Sequence, residues 1–171
     1  MSIFQIPETS IHHRDDYIVS KVEGLYHIIP FHLLRATDKV DFQVVPFFEV
    51  VNGIDRVNHE PGAHSPSFAG DTDVWYMHPG QGDNLVVFSG SRFVELYTPD
   101  HGKVEVFEVS ADWIKQDGKI IHDGPAMLGW PIGVFHRNYS PEGSTSLNFA
   151  VRYDNFDIDT EFNIYKVDTK T

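Results

Sequence analysis

Apolar positions in this chain come in short runs separated by turn residues, and few runs carry the three-to-four-residue spacing of an amphipathic helix. From residue 17 onward the runs Tyr17–Val22, Leu25–Leu34 and Val40–Val51 are rich in β-branched and aromatic side chains. They read as strands. Pro46, inside the third run, predicts an edge position or a bulge, because proline cannot donate to a sheet ladder. Residues 52–72 carry Asn52-Gly53, Pro61-Gly62, Ser65-Pro66-Ser67 and Gly70 and read as loop. Strands are predicted again over Asn84–Ser89, Arg92–Thr98 and Lys103–Val109, broken by Gly90-Ser91 and by Pro99-Asp100-His101-Gly102. Near the end Leu147, Phe149, Val151 and Tyr153 alternate with Ser146, Asn148, Ala150 and Arg152, the pattern of a half-buried strand. Helix is predicted only over Ser110–Gln116, with Ser110 as its cap and Gly118 as its stop. Many short strands between turns predict an all-β sandwich or barrel. On pattern alone an immunoglobulin-like sandwich stays open.

With 171 residues, 41% hydrophobic, the chain has the length of one domain with a real core. Residues 1–16, polar and carrying His12, His13, Asp15 and Asp16, read as an N-terminal arm. The barrel core is expected over about 17–153, and 154–171 as a C-terminal extension with a strand near its end. The formal charge of −12 argues against nucleic-acid and anionic-lipid partners, since no basic cluster offsets it. The absence of cysteine removes disulfides, thiolate metal sites and cysteine nucleophiles. No apolar run is long enough to span a bilayer, and a cytoplasmic location is expected.

Two segments carry candidate chemistry. Trp75-Tyr76-Met77-His78-Pro79-Gly80-Gln81-Gly82-Asp83 leads into an apolar strand closed by Gly90, and Trp130-Pro131-Ile132-Gly133-Val134-Phe135-His136 has a Pro-x-Gly-x-x-His core. Together they resemble the two motifs of the cupin superfamily, in particular its RmlC-like jelly rolls. His78 falls at the second histidine of the first motif, Asp83 at its acidic position and Gly90 at its closing glycine. Pro131, Gly133 and His136 match the second motif. Tyr76 stands where the family's first histidine would be, and Asp83 is shorter than the usual glutamate. The resemblance implies a double-sheet jelly roll with a pocket lined by these segments.

Elementary geometry leads to the same pocket. Residues two apart on a strand share a face, which puts Tyr76 with His78. Gly80 and Gly82 permit a turn that returns Asp83 beside His78, and the Pro131–Gly133 turn presents His136 from a neighbouring strand. Two imidazoles and one carboxylate suit a divalent ion such as Fe, Mn, Ni or Zn. The sequence therefore predicts metal ligands His78, Asp83 and His136, catalytic residues Tyr76, His78 and His136, and a metal-dependent enzyme acting on a sugar derivative, organic acid or diketone. Two alternatives stay open: a metal-free sugar isomerase or epimerase using histidine and tyrosine as base and acid, and a non-catalytic small-molecule binding barrel. His59 and His64 are candidates for a loop over the barrel mouth. Length beyond a minimal barrel at both ends predicts a homodimer.

Overall fold

The computed structural model describes residues 17–45, 50–67 and 73–170. The N-terminal arm and Pro46 lie outside the described residues. Fifteen strands are present there: β1 (Ser20–Val22), β2 (Tyr26–Pro30), β3 (His32–Thr37), β4 (Val40–Val44), β5 (Gly53–His59), β6 (Ala63–Ser65), β7 (Val74–Met77), β8 (Gln81–Tyr97), β9 (Glu105–Ser110), β10 (Trp113–Gln116), β11 (Lys119–Asp123), β12 (Ala126–Trp130), β13 (Phe135–Ser140), β14 (Ser144–Arg152) and β15 (Ile164–Lys166). One short helix, α1 (Ile158–Glu161), interrupts them. The all-β expectation holds.

All pairings are antiparallel, and they form a curled double sheet hinged on β8. The first half of β8 pairs with β12 and β14, which carry β2–β1 and β5 outward. Its second half pairs with β9 and β13, which carry β10–β11 on one side and β6, β7 and β15 on the other. The β3–β4 hairpin stands apart as a two-stranded sheet. The sequence predicts a break at Gly90-Ser91; the structure has a bulge instead. Ser146 faces Val87 while its neighbour Thr145 faces Ser89, so Phe88 is the extra residue. The insertion reverses the alternation. Before it Gln81, Asp83, Leu85 and Val87 occupy one face; beyond it Arg92, Val94 and Leu96 do. Both sets are buried, which is what a bulge does when it re-aims a strand.

The main core lies between the sheets and includes Tyr26, Ile28, Leu85, Val87, Val94, Leu96, Phe107, Val109, Ile114 and Leu128. A smaller cluster of Ile29, Val86 and Met127 covers the outer face of the first sheet, with Phe149 packed against it. That cluster inverts the expected polarity of β14. Its small and polar set, Ser144, Ser146 and Ala150, is the buried one, because the barrel interior here is a polar cavity and not only an apolar core.

Two expectations are corrected. Residues 110–116 form no helix. Ser110 Oγ accepts from the Asp112 and Trp113 amides as expected of a cap, but Ile114 is needed in the core. The chain turns into β10, which pairs with both β9 and β11. Residues 52–72 are not simply loop. β5 and β6 form there, and β5 alternates regularly between half-buried and exposed positions, a pattern masked by its polar residues.

Gly90 has φ +71°, and a Cβ there would collide with the Gly143 carbonyl oxygen. Gly24 has a similar φ of +72° with open space around it. Gly24→Ala should therefore cost only the left-handed backbone penalty, about 1 kcal/mol. Gly90→Ala should cost roughly 3 kcal/mol or more and lower Tm by about 6 °C or more. Thermal melts of the two variants check the difference.

Candidate functional site

Between the sheets lies a cavity of about 340 Å³ whose walls include Tyr76, His78, Gln81, Asp83, Trp130, His136, Asn148 and Phe162. Each motif delivers its part. Tyr76 lies in β7 and His78 follows the end of that strand. The turn at Pro79-Gly80 starts β8 and brings Asp83 inward. Gly133, at φ +79°, bends the chain before β13, and its amide donates to the His78 carbonyl at 2.9 Å. The two motif segments are thus joined directly, and His136 pairs across the ladder with Tyr76.

The structure brings His78, Asp83 and His136 together: one donor atom from each lies within 4.8 Å of the others, and all three side chains are buried. The imidazole centroids of His78 and His136 are 4.7 Å apart. His78 Nε2 is 3.5 Å from Asp83 Oδ2. Its Nδ1–H donates to the Glu161 backbone carbonyl, with Glu161 Oε2 3.8 Å away. His136 donates from Nδ1 to the Val134 carbonyl at 3.2 Å. Carbonyls only accept, so both histidines carry hydrogen on Nδ1 and turn Nε2 toward the cavity centre. Tyr76 lies beside both rings, with centroids 6.4 Å from His78 and 6.1 Å from His136.

The sequence matches no protein-family model and no curated protein. Solved structures do match its fold. A dTDP sugar isomerase from Desulfovibrio desulfuricans G20 is 15% identical, with a TM-score of 0.58 over 89% of this chain and 87% of that one. The dTDP-4-dehydrorhamnose 3,5-epimerase from Sulfolobus tokodaii is 14% identical, with a TM-score of 0.57 over 88% and 80%. RmlC, a dTDP-6-deoxy-D-glucose-3,5-epimerase from Legionella pneumophila Philadelphia 1 in complex with dTDP-4-keto-L-rhamnose, is 11% identical, with a TM-score of 0.58 over 88% and 76%. The fold is that of the RmlC-like cupins.

Around the histidines the chain builds a polar shell that the motifs do not announce. Asp83 Oδ1 accepts from Gln81 Nε2 at 2.8 Å and from Asn148 Nδ2 at 2.6 Å. Gln81 accepts in turn from Arg152, whose guanidinium pairs with Asp55 at 2.9 Å. The Trp130 indole N–H faces the Asp83 carboxylate without reaching a hydrogen bond. Burial raises the Asp83 pKa, against the opposing pull of His78 and these donors. Burial, with His78 second, lowers the His136 pKa to about 3, so its imidazole is neutral near neutral pH. His59, at the end of β5, also lines the cavity; burial, Arg92 and His64 lower its pKa to about 4. His64 stacks on Tyr139 instead and is not among the cavity walls.

Glu161 is the residue sequence reasoning missed most completely. It is fully buried, its Oε2 accepts from the Gly80 amide at 3.2 Å, and its Oε1 has no partner among the described residues. The C-terminal segment delivers it. Tyr153 donates its amide to the Gly80 carbonyl, α1 follows, Phe162 sits edge-on to His78 and Tyr76, and β15 pairs with β7. A Cβ on Gly80 would lie 2.6 Å from Glu161 Oε1, so only glycine admits this closure. No helix among the described residues is long and apolar enough to cross a membrane.

The shifted groups make pH dependence testable. An unfolded histidine takes up its proton near 6.5, whereas folded His136 and His59 resist until about 3 and 4. Between those values the unfolded chain binds more protons, so stability falls as pH drops below about 6.5. Melting temperature should decline from there, and His59→Gln with His136→Gln should flatten the decline. Asp83 has the opposite sign: its raised pKa makes its charge costly at neutral pH. Asp83→Asn should raise Tm near neutral pH, by an amount that shrinks as pH falls toward 3.8, the ordinary carboxylate value.

Proposed function

We propose that this cupin is an acid–base isomerase or epimerase acting on a small carbonyl-bearing carbohydrate in the cavity. The carrying observation is the His78 environment: Nδ1–H is tied to the Glu161 carbonyl with the Glu161 carboxylate behind it, and Nε2 is turned toward the cavity centre beside Asp83. Such a ring can take a proton at Nε2, and the Glu161 carbonyl that accepts from Nδ1–H, with its carboxylate behind, stabilises the imidazolium that forms. The reaction it suits is removal of a proton from a carbon next to a carbonyl. The C–H proton passes to His78 Nε2, and the electron pair moves to the carbonyl oxygen as an enolate. The unpartnered Trp130 N–H is a donor suited to that oxygen. Tyr76, on the cavity wall, is suited to return a proton to carbon from another side. The presence of a dTDP sugar isomerase and of sugar 3,5-epimerases among the structures sharing this fold supports the reading.

A metal-dependent enzyme is the second reading. Its support is the donor set itself, one nitrogen from each of two imidazoles and a carboxylate oxygen within 4.8 Å, with each histidine oriented by a backbone carbonyl as metal-ligating histidines are. The donor types fit Fe(II), Mn(II), Ni(II) or Zn(II), and a bound ion would act as a Lewis acid toward a carbonyl oxygen. Against it, Asp83 Oδ1 already holds two hydrogen bonds and burial favours its neutral form.

Deuterium exchange separates the two. Chelator-treated protein, incubated in D2O with free keto sugars, hexuronic acids and a nucleotide-linked keto sugar, should exchange a hydrogen next to the carbonyl of at least one, seen by proton NMR. His78→Gln should lower that rate about a hundredfold or more, and Tyr76→Phe about tenfold or more. Exchange with none of them would sink the acid–base reading. Exchange that appears only when one of the four ions is restored would favour the metal-dependent enzyme, with stoichiometric metal in freshly purified protein as its independent sign.

A further inference from the structure

The cavity has a second end that the histidine cluster does not use. Along β13 the inward residues are His136, Asn138 and Ser140, and along β14 they are Asn148, Ser146 and Ser144. Ser140 and Ser144 thus lie roughly 13 Å of strand away from His136 and Asn148. There Arg92 enters the wall of the cavity, turned inward by the Phe88 bulge. It is 3% exposed, and its described hydrogen bonds are from Nε and Nη2 to Ser144 Oγ, at 3.2 and 3.0 Å. Among the described residues no carboxylate pairs with it. Burial, uncompensated by any acid, lowers its pKa to about 10, which leaves it cationic near neutral pH.

The hydrogen bonds around Arg92 run in one direction. Arginine only donates, so Ser144 Oγ spends both lone pairs on it. Ser144 must then donate to Ser140 Oγ, 2.9 Å away, and Ser140 to His59 Nδ1 at 3.0 Å. His59 therefore carries its hydrogen on Nε2, which has no partner among the described residues. Among the described residues this end of the cavity offers a guanidinium, a histidine N–H and no acceptor of equal strength.

We propose that Arg92, with His59, forms an anion subsite that receives the carboxylate of a sugar-acid substrate whose carbonyl end lies at His78. The span between the two ends is one that a five- or six-carbon acid fills once a hydrogen-bond length is added at each end. Among the described residues lining the cavity Arg92 is the single Lys or Arg, and the carboxylates there, Asp55 and Asp83, are already held by Arg152 and by the Gln81 and Asn148 amides, so one further negative charge is matched. A nucleoside diphosphate, carrying more charge, is not. The inference rests on the reading of this cavity as the substrate site, and not on which reaction follows.

Calorimetry with D-galacturonate, neutral D-galactose and uridine diphosphate tests it. Galacturonate should bind at least tenfold more tightly than galactose and more tightly than the diphosphate. Arg92→Met should remove the preference for the acid. His78→Gln should keep it, which separates failure of this inference from failure of the proton-transfer reading. Because Arg92 buries an unpaired charge, Arg92→Met should match or exceed the parent Tm. Should that variant not fold, Arg92→Lys, which keeps the charge but loses the planar fork, should retain part of the preference. No binding of galacturonate, equal binding of acid and neutral sugar, tighter binding of the diphosphate, or an unchanged preference in the Arg92 variants would overturn the proposal.

Discussion

Strand β8 belongs to both sheets, and the extra residue at Phe88 determines what enters the barrel on either side of it. Upstream, odd-numbered residues face inward and carry Gln81 and Asp83 to the histidine end. Downstream, even-numbered residues face inward and carry Arg92 to the other end. Without the bulge a strand of this length would send one of these sets out to solvent. Two residues beyond Phe88, Gly90, with positive φ and the Gly143 carbonyl where a Cβ would stand, admits no side chain. One backbone irregularity thus orients the acid and the cation in a single cavity, and β13 and β14 follow because their register is set against β8.

Polar groups in such a cavity must be satisfied or tolerated at a cost, and this chain does both. Asp83 is held by two amide donors that are themselves anchored through Arg152 and Asp55. Those bonds hold the side chain still without cancelling the desolvation of its charge. Glu161 Oε1, Trp130 Nε1 and Asn138 Oδ1 remain without partners among the described residues. Trp130 and Asn138 line the cavity; orphaned polar atoms cost on the order of 1–3 kcal/mol each, and a stable barrel has no use for two around one space. They are what a site prepared for a polar ligand contains, and the apolar core beneath, with Phe107, Leu96 and Leu128, offsets them.

Much of the barrel was legible in the sequence because local chemistry dictated it. Turn residues bounded the strands, and the glycine and proline spacing around His78 and His136 marked the two loops that meet. Tyr76, His78, Asp83 and His136 could be found because they are close to those turns. Other parts were not local. Ser110 is a good helix cap, but Ile114 is pulled into the core, and tertiary packing outweighs a single turn of propensity. β5 carries Asp55, Arg56, Asn58 and His59 and looks like loop, because a strand lining a polar cavity lacks the usual apolar stripe. β14 was recognised as a strand, but with its buried face reversed, for the same reason. Arg92 and Glu161 gave no signal: the first depends on a bulge, and the second on a C-terminal segment folding back over residues some eighty positions earlier.

That fold-back links closure to chemistry. The Glu161 carbonyl sets the tautomer of His78, its carboxylate lies behind the same ring, and Phe162 covers the ring edge-on. α1 has a single turn and little stability of its own. It is held by β15 on β7, by the Tyr153 amide on Gly80 and by the packing of Phe156 against Gly80. Opening this segment would release His78 Nδ1, admit water to Glu161 and strip the cavity of one wall together. The tautomer of His78 is therefore coupled to the position of the C-terminal segment, the same segment that shapes the cavity.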